Sequence, residues 1–166
     1  VTYIDILRRA EARGLAIIAF TDHNTVAGYR QMQEEIQQLT LLERLKRILP
    51  EEQGRLNEYR RLMGKILVLP GFEFTATFGF HVLGIFHPDK PVREIEHLLL
   101  DLSIPPEHLD EGSATVGATT DVLTAYQVIH EAAGLVLAAH ATSSAGVAKR
   151  GFPVGGQTKL AYPPAP

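Results

Sequence analysis

The apolar residues of this chain arrive in short bursts. Leu15-Ala-Ile-Ile-Ala-Phe20, Lys65-Ile-Leu-Val-Leu69, His81-Val-Leu-Gly-Ile-Phe86 and Leu135-Val-Leu-Ala-Ala139 are each five or six residues long and are separated by stretches with helical spacing. That length suits a buried strand and falls far short of the ~20 residues a membrane helix requires. Short buried strands alternating with helices predict an α/β domain, either a barrel or an open sheet. With 166 residues, 45% of them hydrophobic, the chain can enclose one core. A formal charge of −3 removes the broad basic field that sequence-independent nucleic-acid binding needs. There is no cysteine, so disulfides, thiolate zinc sites and iron–sulfur clusters are excluded, and any metal must be held by His, Asp and Glu. No basic segment followed by an apolar one opens the chain, which predicts a cytoplasmic address. The missing initiator Met suggests a piece of a longer polypeptide.

The helices follow from spacing and punctuation. Thr2 with Asp5 forms a capping box that opens a helix over 3–13, closed at Arg13-Gly14. From Thr25 to about Leu49, Met32, Ile36, Leu39, Leu42, Leu45 and Leu49 make an apolar stripe. Pro50 interrupts it, and a second helix follows over 51–63. Pro70-Gly71 ends the strand over 65–69, and Pro91 begins a helix to about Leu102. Two prolines, two glycines and small polar residues make 103–118 a loop or flap. Thr119 or Thr120 caps a helix over 121–133, which Gly134 ends. The last 26 residues hold four glycines and four prolines and read as a loop or lid.

The chemistry gathers at the ends of these runs. Asp22-His23 follows the first, Glu73 the second and His140 the last, and in parallel α/β folds the carboxyl ends of strands share one face. His81 opens its run, so it reaches that face only if its strand runs antiparallel or is entered from a bulge. Imidazoles with a carboxylate and no thiol suit zinc, manganese or iron. Such ions lower the pKa of bound water and stabilise phosphoryl oxygens, and the two oxygens of Glu73 can bridge neighbouring ions. On position alone Asp22 also reads as an N-cap, and His23 and His140 as loop histidines bonded to backbone. Glu73, between two phenylalanines, needs a partner if buried. His87, His97, His108 and His130 read as solvated.

Taken in order, Phe20-Thr-Asp-His-Asn-Thr25, Leu69-Pro-Gly-Phe-Glu-Phe-Thr75, His81-Val-Leu-Gly-Ile-Phe86 and Gly134-Leu-Val-Leu-Ala-Ala-His140 resemble successive motifs of the PHP (polymerase and histidinol phosphatase) superfamily. The resemblance implies a distorted (β/α)₇ barrel holding two or three divalent ions (Zn, Mn or Fe) at its strand ends. It makes His23, Glu73, His81 and His140 metal ligands, with Glu73 bridging. Asp22 becomes a ligand or a ligand's partner, so that Asp22, His23 and Glu73 form the catalytic group. The family's initial His-x-His and late Asp-x-His or Asn-x-His are absent: no two of the seven histidines are two apart, and none follows His140. Truncation accounts for both, which implies a partial PHP-like domain over 1–140, lacking its first and last strands, with 141–166 leading toward a missing part. The tail is similar, more loosely, to PHP modules attached to large ATPase proteins.

The implied activity is hydrolysis of a phosphate ester by metal-activated hydroxide. The substrate would be a phosphate ester, whether a monoester, a nucleotide or a nucleic-acid end, with Lys149 and Arg150 as phosphate contacts, no membrane partner and further domains in the same polypeptide. The alternative is a non-catalytic structural or regulatory PHP module of a larger nucleic-acid-processing or ATPase protein. A third reading is an α/β binding domain whose strand-end residues are caps and loop partners.

Overall fold

The computed structural model describes residues 1–116 and 119–141. Among these are helices α1 (Tyr3–Ala12), α2 (Ala27–Arg44), α3 (Pro50–Met63), α4 (Val92–Asp101) and α5 (Val122–Glu131), and strands β1 (Ile17–Phe20), β2 (Leu67–Thr75), β3 (His81–Ile85) and β4 (Leu135–Ala138). The fold is α/β. The strands hydrogen-bond in the order β1-β2-β3-β4 as a mixed sheet that does not close into a barrel among the described residues. None of the described helices is long and apolar enough to cross a membrane.

The chain divides into two compact units, the first Val1–Phe20 with Gly28–Leu69. Here α1 opens on the expected box, with Asp5 N–H donating to Thr2 Oγ1 and Thr2 N–H to Asp5 Oδ2. Leu7, Met32, Leu56 and Leu62 are fully buried among the three helices. Outside them, Arg61 bridges Glu11 and Glu58, Arg8 pairs with Glu58, and Arg60 with Glu43. α2 is shorter than its stripe predicts. It stops at Arg44, Lys46 turns left-handed at φ 55°, and Leu45 and Leu49 lie exposed beyond the helix end. Pro50 is the first residue of α3 rather than a break before it, because a first-turn N–H has no intrahelical acceptor to lose.

The second unit comprises Thr21–Ala27 and the chain from Pro70 onward. β3 runs antiparallel to β2 and to β4. β2 and β4 therefore point the same way, and the N-terminus of β3 lies where they end. Pro70-Gly71 does not end β2. With Gly71 opposite Ile85, Pro70 occupies the last rung, where its carbonyl accepts the Phe86 N–H at 2.9 Å and its missing N–H falls at the ladder's margin. Alternation puts Phe72, Phe74, Val82 and Gly84 on one face of the sheet and Glu73, Thr75, His81 and Leu83 on the other. The first face is the core: Phe72, Phe74, Val82, Ile95, Leu99, Ala125 and Ile129 have no exposed surface. Gly84 is there because a Cβ would stand 3.1 Å from the Phe72 ring. β4 is not buried on both sides, since Leu135 is 57% and Leu137 42% exposed.

Two caps differ from expectation. Asp121, not Thr119 or Thr120, caps α5 by accepting the Leu123 and Thr124 N–H groups, while the Thr120 hydroxyl donates to the Leu102 carbonyl. After α5 the left-handed residue is Ala133, at φ 59°, not Gly134. Gly134 is required for space, because a Cβ would meet Phe86 at 2.6 Å and Ile129 at 2.7 Å.

Candidate metal centre

Backbone pairing sets the first two members of the site. Beyond β1, His23 forms an isolated parallel bridge with Glu73. The Glu73 N–H donates to the Asp22 carbonyl and the Asn24 N–H to the Glu73 carbonyl, both at 2.9 Å. His81 comes from the adjoining strand, where Thr75 faces His81 and Glu73 faces Leu83, so His81 is the diagonal neighbour of Glu73. The antiparallel β3 supplies the condition under which an imidazole at the start of a strand joins this face. His140 follows β4 in a left-handed turn at φ 42°, after the Ala139 N–H has extended the ladder to the His81 carbonyl.

The side chains converge on Glu73, which is 9% exposed. Its Oε1 lies 2.8 Å from His81 Nδ1 and 2.6 Å from His140 Nε2, and those two nitrogens are 3.4 Å apart. Donor atoms of His23, Glu73 and His81 all lie within 4.8 Å of one another. His140 joins through Glu73 and His81, so the carboxylate stands in two overlapping sets of donors. The rings of His23 and His81 meet edge to face at 5.3 Å, as do those of His81 and His140 at 5.4 Å. His23 Nδ1 is buried without a hydrogen-bond partner. An unmatched buried nitrogen costs about 1–3 kcal/mol and calls for a ligand.

That orphan nitrogen, the three-imidazole and one-carboxylate donor set and the short separations fit a divalent transition metal. Ligands at ~2.0–2.1 Å in a tetrahedral array stand roughly 3.3 Å from each other, close to the His81–His140 separation, whereas the 2.8 Å and 2.6 Å contacts to Glu73 Oε1 are hydrogen-bond distances. His140 is the most exposed of the pairs around Glu73, which leaves an approach from solvent on that side.

The remaining predicted residues fall elsewhere. Asp22 contributes its carbonyl to the His23–Glu73 bridge, while its carboxylate is not among the mutually close donor atoms. Burial lifts the Asp22 carboxyl above the usual range, with His23 beside it pulling the other way. The N-cap alternative for Asp22 is not realised, because Thr25 Oγ1 takes the Ala27 N–H at the start of α2. His87, His97 and His108 are exposed beside Asp89, Asp101 and Glu111, and His130 is exposed on α5. Lys149 and Arg150, and the lid expected over 141–166 apart from Ala141, lie outside the described residues.

Sequence reasoning assigned no role to Asn24, Thr25 or Thr75, which are buried around the centre. One local signal was available, since Asn is among the few residues that tolerate the left-handed turn found at position 24. No protein-family profile matches the chain, and no curated protein matches it.

Proposed function

We propose that this chain is a PHP-type metal-dependent phosphoesterase, its sheet part of the distorted (β/α)₇ barrel of that superfamily. The observation that carries the reading is the meeting of His23, Glu73, His81 and His140, drawn from four separate segments, around one buried carboxylate. His23, Glu73, His81 and His140 would hold a set of two or three divalent ions (Zn, Mn or Fe), with Glu73 as the bridging carboxylate. When bound, the ions supply positive charge to phosphoryl oxygens and lower the pKa of water beside phosphorus. The chain's own residues do the positioning. The bridge to Glu73 fixes the backbone of His23, and the Thr75–His81 rung fixes that of His81. The aromatic pair Phe72 and Phe74 locks the strand that presents Glu73. Asp22 would act through the backbone it shares with His23, its carbonyl taking the Glu73 N–H. The substrate is a phosphate ester such as a nucleotide or nucleic-acid end, with Lys149 and Arg150 as phosphate contacts, in a cytoplasmic polypeptide with further domains.

The test is elemental analysis of full-length protein purified without chelator, followed by hydrolysis of a generic phosphate monoester with and without EDTA. Bound metal and chelator-sensitive turnover are expected. Absence of metal, with no thermal stabilisation by Zn²⁺ or Mn²⁺, refutes the reading. Stoichiometric metal without turnover replaces it with the structural-module alternative.

A further inference from the structure

Asn24 is 1% exposed, sits directly after His23 and adopts φ 54°. Its side chain meets four hydrogen-bond partners, three of which share the two hydrogens of Nδ2. Oδ1 accepts the Thr75 N–H at 2.8 Å, and Nδ2 donates to Thr75 Oγ1 at 3.2 Å, the Ser113 carbonyl at 3.0 Å and the Val116 carbonyl at 3.1 Å. The amide orientation is dictated by these partners, since a backbone donor faces one end and two carbonyls the other. Thr25 extends the attachment, its hydroxyl donating to the Leu109 carbonyl. Residues 109–116, which read as a flap, are thus held to the segment that carries His23. No other side chain meets all the demands. Asp has no donor for the carbonyls, Gly takes the turn but bonds nothing, and other residues resist a positive φ.

We propose that Asn24 is a positioning residue: it sets the His23 imidazole against Glu73 by pinning the backbone on the far side of His23 to Thr75 and to residues 109–116. His23 is bracketed on one side by the Asp22 carbonyl, which takes the Glu73 N–H, and on the other by Asn24. Releasing the second point lets the residue that carries the orphan Nδ1 rotate away from the cluster. The proposal rests on the metal-centre reading, and its test separates the two.

Zinc affinity by chelator competition and the ring ¹⁵N resonances of the histidines are measured for wild type, Asn24→Gly and Leu99→Ala in the full chain. Asn24→Gly keeps the left-handed backbone and removes all four side-chain contacts. It should lower zinc affinity about 10–100-fold and shift the His23 ring resonances, while those of His140, held by Glu73, stay put. Leu99→Ala, which empties part of the core at α4, should lower the melting temperature without changing zinc affinity. Should the glycine variant not fold, Asn24→Asp, which keeps the Thr75 acceptor and loses the donors, is read the same way. Zinc affinity within twofold of wild type with unmoved His23 resonances overturns the proposal, as does a loss in Leu99→Ala that matches its loss of stability. If wild type takes up no zinc, the metal-centre reading falls, and the His23 resonances alone decide whether Asn24 positions that ring.

Discussion

Glu73→Gln separates a metal ligand from a structural carboxylate. Glutamine has the same shape and its amide oxygen can still accept from both His81 and His140, but without charge assistance, and its NH₂ cannot bind a cation. Without metal, the weakening of these imidazole bonds, worth about 1 kcal/mol net, is offset in part by relief of a nearly buried charge. For a chain of 166 residues 1 kcal/mol moves the melting temperature by about 2–4 °C, so the metal-free variant should melt within that distance of wild type. With zinc at 100 times the wild-type Kd, binding stabilises wild type by about 2.7 kcal/mol, a shift of roughly 5–11 °C. Removing the anionic donor should weaken binding by at least the ~100-fold that marks the upper end for outer partners. That leaves zinc near the variant's Kd, where it contributes about 0.4 kcal/mol, or about 1 °C. The assay is thermal unfolding with and without zinc, with His97→Ala as control. His97 is 74% exposed and 3.7 Å from Asp101, so its removal should change neither the metal-free melting temperature nor the zinc shift. A wild-type zinc shift in Glu73→Gln, or its loss in His97→Ala, refutes the assignment.

Gly134→Ala should cost about 1–3 kcal/mol in denaturant unfolding, because the new methyl meets Phe86 and Ile129 below 3 Å. Gly54→Ala in α3, with nothing within 4 Å, should instead stabilise by about 0.5–1 kcal/mol, and equal effects at the two sites would contradict the packing argument. Asp121→Ala should cost about 0.5–2 kcal/mol by uncapping α5, measured the same way, whereas a neutral result would return the cap to Thr120. Acid should act first on the unit built from α1, α2 and α3. Hydrogen bonds from Arg61 and Lys65 hold Glu11 at about 2, those from Arg60 and Gln53 hold Glu43 at about 2, and those from Arg61 and Arg8 hold Glu58 at about 2, all below the ordinary 4.5. Folded values below unfolded ones mean that this stabilisation is complete above about pH 4.5 and is lost as pH falls toward 2. Urea midpoints should therefore drop across that window, less so in high salt, and a flat profile would show that these surface pairs contribute nothing.

What could be read ahead of the structure, and what could not, divides by the range of the interactions involved. Capping boxes, helical stripes and short apolar runs are local, so Thr2 with Asp5, α4 and the cores of all four strands were legible. Where an element ends depends on its partner. Pro70-Gly71 has the composition of a strand stop, yet β2 continues for five residues beyond Pro70 because its ladder with β3 begins there. Direction is equally invisible to periodicity, and it was the antiparallel course of β3 that decided whether His81 faces Glu73. The donor residues stood out because they are scarce: in a chain with seven histidines and no cysteine, an imidazole or carboxylate at the end of an apolar run is conspicuous. Asn24 and Thr75 carry no such signal, since amides and hydroxyls are common in loops and local turns satisfy most of them. The Asn24 clamp exists only because Ser113 and Val116, 89 and 92 positions away, offer carbonyls at the same place. A clamp of that kind is written in tertiary register. The groups that hold a metal are therefore easier to find in a sequence than the groups that hold the ligands still.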